Sequence, residues 1–338
     1  YQIKRPPNPS VKPGTRFTLG SLNKKKCQYF SINNYPLNSD LAIKYVFDNP
    51  APVNRGGPGI TDPRSVSLII QHSIIAVPNN NYIPRFDDPR VGYFMTQVTD
   101  MTSVSNTPYK DIIHRWNLKK KDPELPISEP VKPITFWIEN TTPIEFREAV
   151  KEGVLRWNKA FRTAGFKNAL QVKTQPDDAD WDAGDIRYNV LRWTSSPRPP
   201  FGGYGPSFVN PRTGEILGAD IMLEFVYFTN RVKYEKIYEE LIDNNNLIDN
   251  CLAGYYLNQG NQFGFVSSMA SSYTDEVKKR IINESLIRLV LHEVGHTLGL
   301  NHNFKSSYLH DNTRVHNKGI TQEMGLTGSV MEYPGVNI

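Results

Sequence analysis

Residues 292–302 of the chain read HEVGHTLGLNH. On a helix, residues four apart lie on the same face, so His292 and His296 can direct their imidazole nitrogens at one point. That arrangement suits a tetrahedral Zn²⁺, for which zinc–nitrogen distances are about 2.0–2.1 Å. Glu293 directly follows the first histidine, so its carboxylate can reach a water held by such an ion and act as a general base.

Gly299 predicts the end of this helix, because glycine adopts the left-handed conformation at a helix terminus without a Cβ penalty. The chain can then turn back and deliver His302 as a third ligand. Three protein ligands leave a fourth position for water, which is typical of catalytic rather than structural zinc sites. A chance match would account for the five-residue pattern alone, but the added glycine and histidine argue against chance. The sequence therefore predicts one catalytic Zn²⁺.

A second motif, SVMEY, occupies residues 329–333. Together the two motifs resemble the metzincin superfamily, a group of zinc peptidases with a methionine turn beneath the metal. The resemblance implies that Met331 packs under the histidines without binding the metal. It also makes Tyr333 a candidate catalytic residue that approaches the zinc or the developing oxyanion. An aromatic core residue before a proline turn is the alternative for Tyr333, and the sequence leaves both open.

Segments upstream of the motifs predict a mixed α and β domain over residues 127–338. Alternating apolar residues predict strands at 134–138, 170–174 and 186–193, and a turn at 211–214 predicts a hairpin within 208–224. The sequence TPIE at 142–145 predicts a capping box for a helix that runs to about Ala164 and stops at Gly165. The helix that carries the first two histidines is expected to start after Thr274.

That order of elements resembles the metzincin catalytic domain. We therefore predict an α+β fold with a twisted, mostly parallel sheet, an edge hairpin, a long backing helix and the zinc helix. Metzincins bind peptides antiparallel to an exposed edge strand. The resemblance makes residues 204–209 that strand, with Gly205 and Phe208 facing the substrate.

Residues 1–126 are predicted to form a β-rich N-terminal region, because β-branched and aromatic runs alternate with Pro, Gly and Asn. A charged, proline-containing segment at 119–133 sets the domain boundary. The metzincin resemblance also allows a pro-segment-like role, in which Asp87, Asp88 or Cys27 would block the zinc. Ordinary salt-bridged loop carboxylates are the alternative for the two aspartates.

The motifs, together with residues 84–94 and 128–134, are similar to a group of large bacterial metzincin-like zinc peptidases. This resemblance implies an exported protein, periplasmic, cell-surface or extracellular, although the sequence contains no signal segment. Metzincins usually continue into another helix beyond the methionine turn, so the catalytic domain is expected to be truncated at Ile338. One position departs from some branches of the superfamily, because Asn303 stands where they have an acidic residue after the third histidine.

Composition is that of a globular protein, with 38% hydrophobic and 22% charged residues and a formal net charge of +5. The lysines form short runs rather than a basic stripe, so we expect no nucleic-acid partner. No run approaches the ~18 apolar residues of a membrane span, so no transmembrane segment is expected.

Cys27 and Cys251 are either free or joined in one disulfide. His310 and His316 either touch zinc or substrate or lie on the surface.

These observations predict a zinc-dependent endopeptidase that acts on a peptide or protein. Two alternatives remain open. A zinc-containing binding module without activity would not need the carboxylate of Glu293. A metal hydrolase of a non-peptide amide or ester would have a closed, deep pocket, whereas an open groove beside an edge strand would favour peptides.

Overall fold

The computed structural model describes residues 17, 19–53, 60–195, 202–224, 260 and 274–334. Contacts divide the chain into two compact units, residues 1–78 and 79–338. Residues 79–126 thus cluster with the second unit rather than with the β-rich region to which the sequence analysis assigned them. The domain boundary at 126 stays a prediction.

The first unit contains one antiparallel sheet, as its alternating apolar pattern predicts. Its strands are β1 (Ser21–Leu22), β2 (Gln28–Asn34), β3 (Asn38–Asp48) and β4 (Ser65–Ile75). The long strand β3 is central, because it pairs with β4 along its whole length and with β2 and β1 in succession. Cys27 precedes β2, but Cys251 lies outside the described residues, so their pairing stays open.

The second unit is built on a five-stranded sheet. Two short strands, β5 (Met95–Thr96) and β6 (Ile112–Ile113), precede it as a separate pair. The sheet contains β7 (Ile134–Ile138), β8 (Leu170–Thr174), β9 (Asn189–Thr194), β10 (Gly203–Tyr204) and β13 (Ile221–Glu224). The strands β11 (Ser207–Val209) and β12 (Ile216–Ala219) lie between the last two in sequence and form a separate pair. The spatial order is β10-β13-β9-β7-β8. All neighbours are parallel except β10, which runs antiparallel to β13 at the edge.

The predicted edge strand at 204–209 is in fact two strands. Gly203 and Tyr204 belong to the five-stranded sheet, whereas β11 pairs with β12 in a separate two-stranded ribbon. Pro206 lies between them, and proline has no N–H to donate to a sheet ladder. The predicted hairpin is present as β11 and β12, and Gly214 at its turn has φ of +75°.

The long backing helix is interrupted. It consists of α1 (Ile144–Leu155) and α2 (Asn158–Thr163), and ends at Gly165 with φ of +88°, as predicted. The predicted capping box is wrong, because the helix starts at Ile144 with Pro143 at the N-cap and no side chain makes a capping hydrogen bond. Thr142 lies one residue too far upstream for that role and is buried.

The helix that carries the histidines, α3 (Asp275–Thr297), starts where the sequence predicts. Thr274 is its N-cap and accepts a hydrogen bond from the Val277 N–H through its side chain at 3.3 Å. Gly153 of α1 lies so close to α3 that a Cβ there would come within 2.6 Å of Val290 Cβ. Helices α1 and α3 and the sheet bury one apolar core, whose largest fully buried side chains include Phe136, Ile138, Leu170, Leu191, Ile221, Leu223, Leu286 and Leu289.

Two 3-10 helices (Phe304–Leu309 and Arg314–His316) and α4 (Lys318–Met324) follow α3. None of the helices in the described ranges combines the length and apolar character needed to cross a bilayer. The content of strands and helices agrees with the predicted α+β class. Since α3 packs against the parallel sheet, the core positions the C-terminal end of that helix beside the sheet edge formed by β10.

Candidate metal centre

The last turns of α3 hold two buried histidines in defined orientations. His292 is 1% exposed and His296 is 6% exposed. The Nδ1–H of His292 donates to the Val330 carbonyl at 2.8 Å, and the Nδ1–H of His296 donates to the Leu300 carbonyl at 2.9 Å. These bonds leave each Nε2 with its lone pair, which is the form in which imidazole binds a metal.

The third histidine reaches the same point, because α3 ends where the sequence predicts. Gly299 has φ of +96°, and a Cβ there would overlap the His114 carbonyl. The potential ligand atoms of His292, His296 and His302 all lie within 4.8 Å of one another. The three residues therefore group as a possible metal site.

The geometry of this group fits zinc. Nε2 of His296 and Nε2 of His302 are 3.1 Å apart. Two ligands at about 2.0–2.1 Å from a tetrahedral zinc are roughly 3.3 Å apart, which is close to that separation. Nε2 of His292 is buried and has no hydrogen-bond partner among the described residues. A buried polar atom of this kind is costly unless something binds it, so the donor set suits a metal ion.

Burial keeps the three imidazoles neutral. It lowers the pKa of His292 well below its ordinary value and that of His296 to about 4, in both cases against an opposing hydrogen bond to a backbone carbonyl. Burial also lowers the pKa of His302, although the negative charge of Glu332 opposes the change. All three side chains can therefore offer a lone pair at neutral pH.

Glu293 lies between α3 and the edge of the sheet. It is fully buried. Gly203 of β10 is so close that a Cβ there would come within 2.5 Å of Glu293 Oε1 and 2.8 Å of its Cδ. A Cβ on Gly205 would meet the Glu293 carbonyl oxygen at 2.7 Å. Two glycines thus allow the edge strand to pass directly against the candidate general base.

Replacing Gly203 with alanine is expected to reduce the peptide hydrolysis that the sequence predicts by roughly 10²-fold, the loss that a misplacement of about 1 Å can cause. The added methyl group would displace the Glu293 carboxylate and leave the three histidines in place, so bound zinc should be retained. Gly319→Ala on α4 is the control, because its Cβ would meet only the Asn317 side chain, at 3.3 Å. Steady-state kinetics with metal analysis test this prediction, and a Gly203→Ala variant of normal activity would refute it.

Met331 packs directly beneath α3. It is 2% exposed, and a Cβ on Gly295 would overlap its sulfur and come within 3.0 Å of the Trp157 ring. Trp157, at the break between α1 and α2, donates its indole N–H to the Leu291 carbonyl at 2.9 Å. Gly295 therefore lets the helix pack closely against the methionine turn on one side and the backing helix on the other.

A Gly295→Ala variant should be less stable, although alanine favours a helix by about 1 kcal/mol over glycine. Overpacking a tight contact costs about 1–3 kcal/mol, and here the helix is closed in by Met331 and Trp157. Thermal unfolding should thus shift to lower temperature. Gly319→Ala on α4 is the control, since its Cβ would meet only the Asn317 side chain at 3.3 Å. A rise in melting temperature for Gly295→Ala would contradict this packing.

Tyr333 lies next to the third histidine. Its hydroxyl is 2.5 Å from His302 Nε2, and its ring is 4.6 Å from the ring of His302. Phe304 packs against both residues, with ring centroids 5.5 Å from each, and remains 56% exposed. The ring of Phe94, a residue that is 38% exposed, lies 5.4 Å from that of His296. Exposed aromatic surface therefore borders the group.

The segment at 92–116 supports the loop that carries the third histidine, a contribution that the sequence analysis missed. The Phe94 N–H donates to the Gly299 carbonyl at 2.8 Å, and the Asn301 N–H donates to the Gly92 carbonyl at 3.0 Å. The Trp116 indole N–H donates to the Thr297 carbonyl at the end of α3 at 2.8 Å. No motif marks these residues, because they act mainly through backbone groups.

Several other candidate residues lie elsewhere. Phe208 is in β11, opposite Gly218 of the separate ribbon, rather than in the sheet edge. The Nε2–H of His310 donates to the Gly325 carbonyl at 2.8 Å, and His316 is exposed. Asp88 pairs with Arg90 at 2.6 Å, in agreement with an ordinary loop carboxylate. Among the described residues, the histidine group includes no carboxylate.

A comparison with protein families agrees with a metal site in the C-terminal region. Residues 274–338 match the model of a family described as Met-zincin, and residues 8–121 match one described as Domain of unknown function (DUF5117). Comparison with curated proteins and with solved structures gave no match. The Met-zincin match spans α3, His302 and the methionine turn, so it suggests a function of the zinc metallopeptidase type for this region.

Proposed function

We propose that this chain is a zinc-dependent endopeptidase. The observation that carries the proposal is the convergence of His292, His296 and His302, with the buried carboxylate of Glu293 next to them in sequence and against the sheet edge in space. The Met-zincin match over residues 274–338 supports the same class.

His292, His296 and His302 would hold one zinc ion. Bound zinc supplies Lewis acidity, which polarises a scissile carbonyl and lowers the pKa of a bound water from ~15.7 toward ~7. Glu293 takes a proton from the attacking water and later passes it to the leaving amine. Its full burial excludes bulk water from this carboxylate, and the adjacent β10 fixes its position.

Two further residues complete the proposed site. Met331 forms the floor beneath α3 and does not bind the metal, because its sulfur packs against Gly295. Tyr333 is the candidate stabiliser of the developing oxyanion, because its hydroxyl reaches the atom of His302 that faces the histidine group. A phenol near a developing negative charge can donate a hydrogen bond that strengthens in the transition state.

An extended peptide is the substrate that the surroundings favour. The edge strand β10 passes Glu293, Tyr204 on that strand is 43% exposed, and Gly205 lets the backbone approach α3. Peptides bind such edges through main-chain hydrogen bonds. The exposed rings of Phe94 and Phe304 offer apolar surface next to the histidines. That surface favours a peptide with apolar side chains over a small molecule held in a closed pocket.

Cleavage of a mixed peptide library, with and without chelator, tests the proposal. We expect cleavage that chelator abolishes and added zinc restores. The products would also reveal the side-chain preference. A folded, zinc-loaded chain that hydrolyses simple esters or amides but no peptide would replace the proposal with a non-peptide hydrolase. The resemblance to bacterial metzincin-like peptidases supports an exported location, which fractionation of cells that produce the natural protein would test.

A further inference from the structure

Glu332, the acidic residue of the methionine turn, is buried, and both of its carboxylate oxygens accept hydrogen bonds. Glu332 is 4% exposed. Its Oε2 accepts hydrogen bonds from Ser307 Oγ at 2.8 Å and Ser306 Oγ at 3.2 Å, and its Oε1 accepts one from the Tyr333 backbone N–H at 2.9 Å. A buried carboxylate is costly without such partners. Because both oxygens are used in this way, Glu332 serves the turn and its neighbours rather than the metal.

The two serines belong to the loop that carries the third histidine. They lie in the 3-10 helix that starts two residues after His302. Two backbone hydrogen bonds join the same loop to the turn, from Asn303 N–H to the Met331 carbonyl at 2.9 Å and from Gly328 N–H to the Ser306 carbonyl at 3.0 Å. The side chain of Glu332 therefore reinforces an existing connection between the loop and the methionine turn.

Glu332 also contacts the zinc helix. Arg288, one turn before His292 on α3, donates from Nη2 to the Glu332 carbonyl at 3.5 Å. Burial lowers the pKa of the Arg288 guanidinium, and the charge of Glu332 opposes that change. Glu332 thus connects three segments: the helix with the first two histidines, the loop with the third, and the turn with Tyr333.

We propose that Glu332 is a positioning residue that holds His302 and Tyr333 against the two histidines of α3. Asn303 leaves the chain without an acidic side chain directly after the third histidine, and Glu332 provides a buried carboxylate to the same loop from the turn. The proposal rests on the metal site of the proposed function. It does not depend on whether the substrate is a peptide.

The test compares metal binding by the full chain and its variants at fixed pH. Zn²⁺ affinity is measured by competition with a chromophoric chelator, and the coordination geometry is followed through the visible absorption of bound Co²⁺. In Glu332→Gln, we expect Zn²⁺ affinity to fall by about 10-fold, the lower end of the loss caused by changing a residue that is hydrogen-bonded directly to a metal ligand, and the Co²⁺ bands to shift. Glu323→Gln, at an exposed position of α4, is the matched control and should resemble wild type.

A double variant, Ser306→Ala with Ser307→Ala, keeps the carboxylate and removes two of its donors, so it should change both readouts in the same direction. If Glu332→Gln does not fold, this double variant tests the positioning role of Glu332 in its place. A role in folding alone would lower the melting temperature of the metal-free chain without changing affinity or spectrum. Wild-type affinity and bands in the folded variants would overturn the proposal, whatever the outcome of peptide hydrolysis.

Discussion

Glu293→Gln should abolish peptide hydrolysis while the zinc stays bound. The amide keeps the size of the side chain in a site that is fully buried, but it cannot accept the proton of the attacking water. General acid–base catalysis contributes roughly 10²–10⁴-fold to rate, so we expect kcat to fall by at least that factor. Steady-state kinetics measure kcat, and elemental analysis of the same preparation measures its zinc content.

Glu284→Gln is the control for this variant, because Glu284 lies on the same helix with its side chain 73% exposed. It should retain wild-type kcat and zinc content. A Glu293→Gln variant with the wild-type rate would exclude Glu293 as the general base. Loss of zinc along with activity would instead indicate that the carboxylate supports the metal site.

His296→Ala should lose the metal as well as the activity. The substitution removes one of three candidate ligands, and loss of an outer-shell partner alone costs about 10–100-fold in metal affinity. We therefore expect a decrease in Zn²⁺ affinity greater than that range. Competition with a chromophoric chelator measures it directly.

His316→Ala is the matched control for that measurement. His316 is exposed and lies in the 3-10 helix at Arg314–His316, so its removal should leave Zn²⁺ affinity unchanged. If His296→Ala bound zinc as tightly as wild type, the proposed ligand set would be wrong. If His316→Ala lost zinc instead, the metal would bind elsewhere in the C-terminal region.

The sequence predicted the features of this site that depend on local spacing. His292 and His296 share a helix face because they are four residues apart, and Gly299 ends the helix because it alone tolerates φ of +96° so close to the His114 carbonyl. The N-cap at Thr274 is likewise a local signal. These features follow from backbone geometry over a few residues, so a single sequence is sufficient to predict them.

Features that depend on distant contacts were not predicted. Trp116 lies far from Thr297 in sequence, yet its indole N–H binds the carbonyl at the end of α3. Glu332 belongs to a recognised motif, but nothing in SVMEY indicates that its carboxylate would bind Ser306 and Ser307. Tertiary packing decides such contacts, and hydrophobic periodicity carries no information about them.

Errors in the predicted elements have a different, local origin. The predicted single edge strand over 204–209 was wrong because Pro206, which has no N–H to donate, interrupts the ladder of hydrogen bonds. The capping box was wrong by one position, because Pro143 took the N-cap and left Thr142 buried upstream. In both cases a proline set the boundary, since its ring restricts φ and it has no N–H to donate.

Zinc content is the measurement that tests the central claim most directly. Elemental analysis of the purified chain, paired with peptide-library cleavage by the same preparation, should give one zinc per chain and cleavage that chelator removes. A folded chain that contains no zinc and binds none when it is supplied would contradict the account, because the convergence of His292, His296 and His302 would then lack the ligand that explains it.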